Sequence, residues 1–456
     1  MTDLDEDWQY YRQLRNQVNR AVKNEKSEWQ INKLKSFGQG SSSVWRNLKS
    51  WFGWNKKGPP TRLLSNGNIF TKPYELSNIM NKYFIDKIQA HVSNLDPPLS
   101  DPIDPIRKLM QNKTCSLTFS PVHPDQVDEI ICSLKSSSSC GLDNIDAKIL
   151  KLGKHQLLPA ITHIINLSIS TQTYPMKWKM AKVIPLHKKK NEICPENYRP
   201  VSLLSTVSKI CEKAIFIQLV KYFEGNNLIH PSHHGFRADH NTTTALIEMV
   251  DRWLEAFDRG KVSAVVALDM SAAFDLVDKN IFLRKLQAYN ADITIINWIN
   301  SYLSDRRQQV YIDGVLSNEL PVNIGVPQGS ILGPLIYVIY TSDLPQSIHR
   351  NHTNQTDSTS SEDCLDCGFL CCYADDSTYT VSSDDPGILT EKIKIAYDEL
   401  STFMRNNRLV LNSDKTHVLI MASASKHRKH GNFNVSLNTG REIVEPIESE
   451  YLLGAN

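Results

Sequence analysis

Residues 369–381, FLCCYADDSTYTV, place two adjacent acids, Asp375 and Asp376, between an apolar run and a β-branched run. Aromatic and β-branched residues are typical of strands, so 369–373 and 378–381 are predicted to pair as a hairpin with both acids at its tip. Neighbouring carboxylates repel, and each raises the pKa of the other unless a cation lies between them. Aspartate is also a common turn residue, so the pair alone leaves open whether it serves chemistry or only the turn.

Length and composition indicate a globular protein with a sizeable interior, since the chain has 456 residues of which 41% are hydrophobic. The longest apolar stretch, ILGPLIYVIY, is shorter than the ~20 residues of a membrane span, and the N-terminus lacks a basic region followed by an apolar one. Nine cysteines without framework spacing indicate reduced thiols. The sequence therefore predicts a protein of the cytoplasm and nucleus with no membrane partner.

Positive charge is concentrated in two stretches although the net charge is only +2. Residues 8–57 carry eleven Lys and Arg against two acids, with five tryptophans interleaved, and residues 177–199 carry seven against two. Phosphates neutralise such charges and bases stack on such rings, which favours nucleic acid. A solvated amphipathic helix that packs its tryptophans on a core is the alternative for the first stretch.

The order of segments suggests a basic helical extension followed by a compact body. Residues 1 to about 60 are predicted as basic helix broken by GQGSSS, and SNLDPPLSDPIDPIRK (93–108) as a Pro-rich connector. Two helices joined by a Ser-rich loop that closes at Gly141 are predicted within 123–152, and helical periodicity within 208–228 ends at Gly225. The polar stretch 347–363 is typical of a surface insertion.

A third acid lies in KVSAVVALDMSAAFDLVD, residues 261–278. The apolar run 262–268 predicts a buried strand with Asp269 at its end, and Ser271 is predicted to cap a helix that begins at Ala272. A purely structural Asp at this position is the alternative. If this strand lies beside the hairpin, the three carboxylates meet and offer the hard oxygen ligands that suit Mg²⁺ held with substrate phosphates.

The loop GVPQGSILGPLIYVIY, beginning at Gly325, completes the set. Its glycines permit close backbone approach to a ligand, Ser330 is predicted to cap a helix with Pro334 in its first turn, and Gln328 then projects toward the crevice. Taken alone, a Gly/Pro-containing loop ahead of a helix is also a common structural connection with no functional role.

In their order, LDMSAAFD, GVPQGSILGP and YADD resemble the central motifs of reverse transcriptases. NYRPVSLLSTVSKICEKAI (197–215), HHGFRADHNTTTAL (233–246) and LVLNSDKTHVLIM (409–421) resemble flanking motifs of the non-LTR, LINE-type retrotransposon branch. The match covers roughly residues 115–456. Upstream, YYRQLRNQVNRAVKNEKSEWQ and NKYFIDKI look like the segment that joins an endonuclease to the polymerase, and no endonuclease is identified.

The resemblance implies an α+β fold with the fingers and palm of a right-hand polymerase, the palm being an antiparallel sheet with packed helices. We expect a helical basic N-terminal extension and linker over residues 1–114, fingers over 115–261, and palm through the primer-grip turn over 262–456. The chain stops at YLLGAN, where the family places that turn, so the thumb is expected to be largely absent.

The resemblance also implies an RNA-directed DNA polymerase that binds an RNA template, a DNA primer and dNTPs and uses two Mg²⁺ ions, with Mn²⁺ as a substitute. Asp269 and Asp375 resemble the direct metal ligands, Asp376 a supporting one, and Met270 is expected to lend only its backbone carbonyl. Lys415 resembles the proton donor to the departing pyrophosphate.

Further residues are similar to those that select and hold the nucleotide. Phe274 resembles the aromatic gate that excludes a 2′-hydroxyl, and Gln328 the residue that steadies the nucleotide or its template base. Arg199 and Lys188 resemble the finger cations that hold the triphosphate, with Lys189 and Lys190 as alternatives to Lys188.

Other patterns in the sequence are not assigned to function, and the activity of the chain stays open. The cysteines of CLDCGFLCC (364–372) are interpreted as buried thiols rather than zinc ligands, and the histidines of HPSHHGFRADH as part of a template-side motif. Three interpretations remain: a poorly processive polymerase, a truncated element relic, or a non-catalytic nucleic-acid binder. Intact acids at all three positions favour retained chemistry over the binder.

Overall fold

The computed structural model describes residues 4–35, 58–136, 139–188, 190–348, 368–412, 415–423, 426, 435–439, 443–447 and 452–453. The chain divides into two compact units, Met1–Gly58 and Pro59–Asn456. Residues 59–114, which the sequence assigned to an extension and linker, therefore belong to the larger unit. No helix in the described ranges has the length and apolar character needed to cross a membrane.

The smaller unit contains one long helix, α1, at Leu4–Lys35. This confirms the predicted basic helix over that range. Between residues 10 and 29 every side chain is exposed, including the apolar Val18 and Val22 at 58% and 59%. The predicted GQGSSS break and the tryptophans Trp45, Trp51 and Trp54 lie outside the described residues.

The larger unit alternates helices with strands that form two main sheets. Its helices are α2 Pro73–Ser93, α3 Asp104–Met110, α4 Pro124–Ser133, α5 Ala147–Leu152, α6 Lys154–Ser170, α7 Thr206–Gly225, α8 Thr242–Asp258, α9 Lys279–Ala288, α10 Ile293–Leu303, α11 Leu332–Thr341, α12 Leu344–Ile348 and α13 Pro386–Asn406. The helices predicted within 123–152 and 208–228 are confirmed as α4, α5 and α7, and α7 ends at Gly225 as predicted. Most of the polar stretch 347–363 lies outside the described residues.

The strands were expected to include an antiparallel sheet built around the three acids. They are β1 Leu63–Ser65, β2 Asn68–Phe70, β3 Met180–His187, β4 Tyr198–Leu203, β5 Val262–Ser271, β6 Arg306–Ile312, β7 Val315–Leu316, β8 Leu320–Val322, β9 Phe369–Tyr373, β10 Asp376–Ser383, β11 Val410–Leu411, β12 His417–Met421, β13 Leu437–Asn438 and β14 Ile443–Val444. The order β11–β5–β10–β9, with β12 also on β5, makes one sheet whose pairs are all antiparallel. The expected α+β class is therefore observed.

The second sheet has the order β4–β3–β6–β7, with β8 on β6 and a parallel pairing of β3 with β6. Helix α2 packs on this sheet, and its buried Leu76, Met80 and Phe84 share a core with Val310 and Ile312 of β6. The Pro-rich connector is held near its middle, since Asn406 Oδ1 accepts from the Leu99 amide at 2.7 Å and Arg284 pairs with Asp101.

Strand β5 runs through the centre of the first sheet and sets its two faces. Val266, Leu268 and Met270 alternate along it and join the main core, in which α11 is almost entirely buried. Because side chains of a strand alternate between faces, Asp269 emerges on the side opposite Leu268 and Met270. The buried strand predicted before Asp269 is therefore confirmed.

The predicted helix cap at Ser271 is wrong. Strand β5 continues through Asp269 to Ser271 because β11 pairs with it there, Val410 opposite Ser271 and Leu411 opposite Met270. The chain then turns at Ala272, whose φ is +51°, into a 3₁₀ turn at Ala273–Leu276 that has no side-chain cap.

Candidate active site

The three acids lie together at one end of the first sheet. Asp376 is directly opposite Asp269 in the β10–β5 ladder, and Tyr373 closes the hairpin opposite Asp376. Asp375 occupies the two-residue turn with Ala374, whose φ of +59° is in the left-handed region. The predicted hairpin is confirmed. Of its two acids, however, only Asp375 lies in the turn, because Asp376 is already the first residue of strand β10.

Burial and like charge disfavour ionisation of the hairpin acids. Burial raises the pKa of Asp375, the charge of Asp269 raises it further, and Arg199 and Lys415 oppose the rise. The pKa of Asp376 is likewise raised by burial first and then by Asp375 and Asp269. A cation placed among these carboxylates would relieve this repulsion.

Lys415 supplies one such positive charge. Its Nζ donates to Asp269 Oδ2 at 2.9 Å, and Asn412 Nδ2 donates to the same oxygen at 3.1 Å. The Asn412 amide also donates to the Asp269 carbonyl at 2.9 Å, which ties Asn412 to strand β5. An incoming cation must therefore compete with the Lys415 ammonium for Asp269.

In the arrangement seen here, no group of three or more His, Cys, Asp or Glu side chains among the described residues is gathered closely enough to hold a metal ion. The donor chemistry nevertheless fits a divalent cation. Three carboxylates at the end of the sheet provide hard oxygen ligands. Burial and then the charge of Asp269 raise the pKa of Asp375, and burial and then the charges of Asp375 and Asp269 raise the pKa of Asp376. For the three carboxylates to hold a divalent cation, their side chains must move, and Lys415 must release the Asp269 oxygen to which it donates.

A cleft of about 800 Å³ opens in front of the acids. The sequence-predicted residues that line it are Lys188, Arg199, Asp269, Met270, Phe274, Gln328, Asp375 and Lys415. Asp376 lies on a neighbouring cleft that shares Asp269 and Lys415. The structure thus brings all nine predicted residues to one region, whereas their roles stay predictions.

The cationic side of the cleft comes from the second sheet and from α2. Lys188 follows β3, and Arg199 of β4 pairs opposite Leu186, so both cations lie at the same end of the strand pair. Burial lowers the pKa of Lys188, and Lys87, Arg199 and Lys415 lower it further. Lys188 lines the cleft and Lys190 does not, which favours Lys188 over Lys190, whereas Lys189 lies outside the described residues.

Lys87 was missed by the sequence reasoning. It projects from α2 into the cleft beside His91, within a segment that had been interpreted as a linker. The signal was available in the motif NKYFIDKI, which ends one residue after Lys87.

The side chain of Phe274 lies at the floor of the cleft between two other rings. Its centroid is 4.9 Å from that of Tyr337 and 6.1 Å from that of Phe236. Met270 points the other way, into the core, where its Sδ accepts from the Tyr337 hydroxyl at 2.8 Å. The side chain of Met270 is therefore directed away from the acids, and the expected role of its backbone carbonyl stays a prediction.

Gln328 is held by an acid that was quoted in the motif LDMSAAFD but not assigned a role. Gln328 Nε2 donates to Asp275 Oδ1 at 2.9 Å and Oδ2 at 2.7 Å. Since the amide nitrogen faces Asp275, the Gln328 carbonyl oxygen is the end left for the cleft. Desolvation raises the pKa of Asp275 to about 6, against the opposing effects of Gln328, Lys87 and Lys188.

The glycines of the 325–329 loop allow close approach to protein backbone rather than to a ligand. Gly329 has φ +121°, and a Cβ there would stand 2.4 Å from the Ser202 carbonyl oxygen. The Ser202 amide donates to the Gln328 carbonyl at 2.9 Å. The loop is thereby fixed against strand β4, which carries Arg199.

A buried carboxylate holds the start of α11 behind this loop. Glu212 of α7 is fully buried and accepts from the amides of Ile331 and Leu332 at 2.7 and 3.2 Å. The N-cap position is Ile331 rather than the predicted Ser330, although Ser330 Oγ, one residue earlier, accepts from the Gly333 amide at 3.0 Å. Pro334 is in the first turn, as predicted. Sequence reasoning missed Glu212, because a lone Glu within a helical pattern carries no signal of its partner.

The cysteine interpretation is confirmed where the structure describes it. Cys371 and Cys372 are buried free thiols in β9, and burial raises the pKa of both. Cys364 and Cys367 lie outside the described residues.

The sequence of this chain is similar to those of known polymerases. The family model described as Reverse transcriptase (RNA-dependent DNA polymerase) matches residues 186–439, more than half of the chain. The chain is 34% identical over 231 residues to the "Probable RNA-directed DNA polymerase from transposon BS" of Drosophila melanogaster, covering 50% of this chain and 25% of that protein.

Two further relatives come from the same fly. The "Probable RNA-directed DNA polymerase from transposon X-element" is 33% identical over 240 residues, covering 52% of this chain and 26% of the relative. The "RNA-directed DNA polymerase from mobile element jockey" is 29% identical over 302 residues, covering 66% and 32%. The chain thus spans between a quarter and a third of the length of these relatives, and it belongs to the reverse transcriptase (RNA-dependent DNA polymerase) family.

Proposed function

We propose that this chain copies RNA into DNA by nucleotidyl transfer, as the polymerase part of a non-LTR retrotransposon. The observation that carries the proposal is the placement of Asp269 and Asp375 in a cleft that the cations Lys87, Lys188 and Arg199 also line, with Asp376 opposite Asp269 in the β10–β5 ladder. Carboxylates facing a phosphate-binding wall suit metal-assisted phosphoryl transfer, whereas binding alone needs no such acids.

In this proposal the first sheet is the palm of a right-hand polymerase, and the second sheet belongs to its fingers. The palm then corresponds to residues 262–456 and the fingers to residues 115–261, with β6 and α2 completing the finger sheet. The pairing of β3 with β6 and the packing of α2 on β6 support counting β6 and α2 with the fingers, although β6 lies within 262–456 and α2 lies before residue 115.

Two Mg²⁺ ions are proposed to be held by Asp269 and Asp375, with the Met270 carbonyl and Asp376 in support. Bound there, such ions activate the attacking hydroxyl and stabilise the charge on the leaving phosphate oxygens. The nearness of the three carboxylates supports this assignment, and release of Asp269 by Lys415 is the movement that it requires.

The chain's own side chains then position the nucleotide. Lys188, Arg199 and Lys87 neutralise the triphosphate, and the ring of Phe274 occupies the space that a 2′-hydroxyl would need. The Gln328 carbonyl oxygen, oriented by Asp275, accepts a hydrogen bond from the nucleotide or its template base. Lys415, once freed from Asp269, donates a proton to the departing pyrophosphate.

Primer extension tests the proposal. The chain is given a labelled DNA primer on an RNA template with dNTPs and Mg²⁺, in parallel with a DNA template and with rNTPs. We expect extension on RNA with dNTPs, lost in Asp375→Ala. Extension that is equal in parent and variant, or absent from the parent with both Mg²⁺ and Mn²⁺, would contradict it.

A further inference from the structure

The segment 232–236 runs along the free edge of strand β9, which leads into the catalytic turn. The Cys372 amide donates to the Ser232 carbonyl at 2.8 Å, and the His234 amide donates to the Cys372 carbonyl at 2.8 Å. His233 and Cys372 thereby form a parallel bridge. The segment acts as a short additional strand beside the hairpin.

Gly235 makes the tightest contact of this segment. A Cβ at Gly235 would stand 2.4 Å from the Ala374 amide nitrogen and 3.2 Å from its Cα. Ala374 is the left-handed turn residue that immediately precedes Asp375. Real Cβ atoms do not approach backbone this closely, so any side chain at 235 must push the turn away.

The segment is anchored on the side remote from the turn. The Arg237 guanidinium pairs with Glu224 of α7 at 2.8 and 2.7 Å and also donates to the carbonyls of His230 and His233. His233 Nε2 lies 3.0 Å from the Thr341 carbonyl oxygen at the end of α11. Because helices α7 and α11 fix the segment, a displacement at Gly235 has to be taken up by the turn.

The next residue touches the proposed gate. Phe236 has φ +60°, an uncommon conformation for a bulky side chain, and its ring meets that of Phe274 edge-on. Such strain persists only where the surroundings fix the residue, and it is frequent next to functional sites. One short segment therefore contacts both the acid-bearing turn and the gate.

We propose that Ser232–Phe236 is a positioning segment, in which Gly235 sets the place of the turn that carries Asp375 and Phe236 supports the ring of Phe274. The catalytic meaning of this inference rests on the proposed function, whereas the contact between the segment and the turn does not.

Gly235→Ala is compared with Gly225→Ala, since an added Cβ at Gly225 meets no atom within 4 Å. Displacing a reacting group by about 1 Å costs about 100-fold in rate. We therefore expect the single-turnover rate constant of Gly235→Ala to fall about 100-fold and its Mg²⁺ midpoint to rise, with hybrid affinity unchanged. A loss of folding alone would lower the active fraction and leave both constants unchanged.

Phe236→Ala adds no atoms and keeps the test decisive should Gly235→Ala fail to fold. We expect its preference for dGTP over rGTP to fall several-fold, while Phe257→Ala, which removes an exposed ring on α8, keeps the parental ratio.

Hydrogen exchange at the Cys372 and Asp376 amides is measured without substrate, so it tests the contact between the segment and the turn even if the parent extends no primer. Faster exchange in Gly235→Ala than in Gly225→Ala supports the inference. The inference is overturned if Gly235→Ala keeps the parental hydrogen exchange, rate constant and Mg²⁺ midpoint. It is also overturned if Phe236→Ala keeps the parental preference for dGTP over rGTP.

Discussion

Asp376 lies directly opposite Asp269 across the antiparallel ladder of β10 and β5. Directly opposed residues share a face of the sheet, so the two carboxylates emerge side by side. The pairing continues from this point to Ser383 opposite Val262, and a slip of one residue would turn Asp376 to the other face. The register of this ladder therefore fixes the position of the acids.

Sugar selection is expected to depend on Phe274. Phe274→Val removes a ring that lies between Tyr337 and Phe236 and opens space where a 2′-hydroxyl would fit. The ratio of kcat/KM for dGTP to that for rGTP should fall by about 10-fold or more. An unchanged ratio would place Phe274 in the core only.

The raised pKa of Asp275 predicts a pH-dependent effect on stability. Its pKa is about 6 in the folded protein against an ordinary 3.8, so between those values the folded state keeps a proton that the unfolded chain has released. The ionised group therefore costs stability as pH rises through this window. Relative to the parent, Asp275→Asn should gain about 1–3 kcal/mol in unfolding free energy between pH 4 and pH 7.

Urea unfolding of both proteins at the two pH values measures this difference. A gap that stays constant with pH would show that Asp275 does not titrate in the window. The same variant should also weaken nucleotide binding, because Asp275 orients the Gln328 amide.

Glu212 is expected to be a major determinant of stability. Its removal in Glu212→Ala leaves the amides of Ile331 and Leu332 without their acceptor and Arg306, 3% exposed, without a buried counter-charge. Leaving a buried donor without its acceptor costs about 1–3 kcal/mol for each group. Glu255→Ala, which removes a half-exposed helix ion pair with Arg259, should stay within about 0.5 kcal/mol of the parent in the same denaturation experiment.

The basic N-terminal unit is expected to contribute charge to nucleic-acid binding. Deleting residues 1–58, at the boundary between the two units, removes eleven Lys and Arg against six acids. The dependence of log affinity on log salt for an RNA–DNA hybrid should become flatter, since its slope is set by the number of phosphates neutralised. Sugar selection should not change.

A soluble truncated protein with the parental salt slope would contradict this role. An insoluble or molten truncated protein would instead support the alternative in which the tryptophans of this unit belong to a core.

Local sequence patterns were sufficient to predict the strands that carry the acids. The contacts between residues far apart in the sequence were not predictable. The strand period and the apolar run before Asp269, together with the β-branched residues around Asp375, identified both elements because each signal is contiguous. The Asp275–Gln328 contact joins residues 53 positions apart, and nothing in either motif specifies the other. The Ser271 prediction was wrong for the same reason, since Val410, a distant residue, extends the strand.

The assignment of Asp269 and Asp375 to catalysis is tested most directly by single-turnover incorporation of one dNTP. The variants Asp269→Asn and Asp375→Asn are compared with Asp384→Asn as the matched control. Asp384 is a neighbouring acid just beyond β10 whose side chain is 73% exposed. We predict that the control incorporates at the parental rate and that both active-site variants are slower by at least about 100-fold, with folding and hybrid binding retained. Near-parental rates in either active-site variant would contradict the assignment of these acids to catalysis.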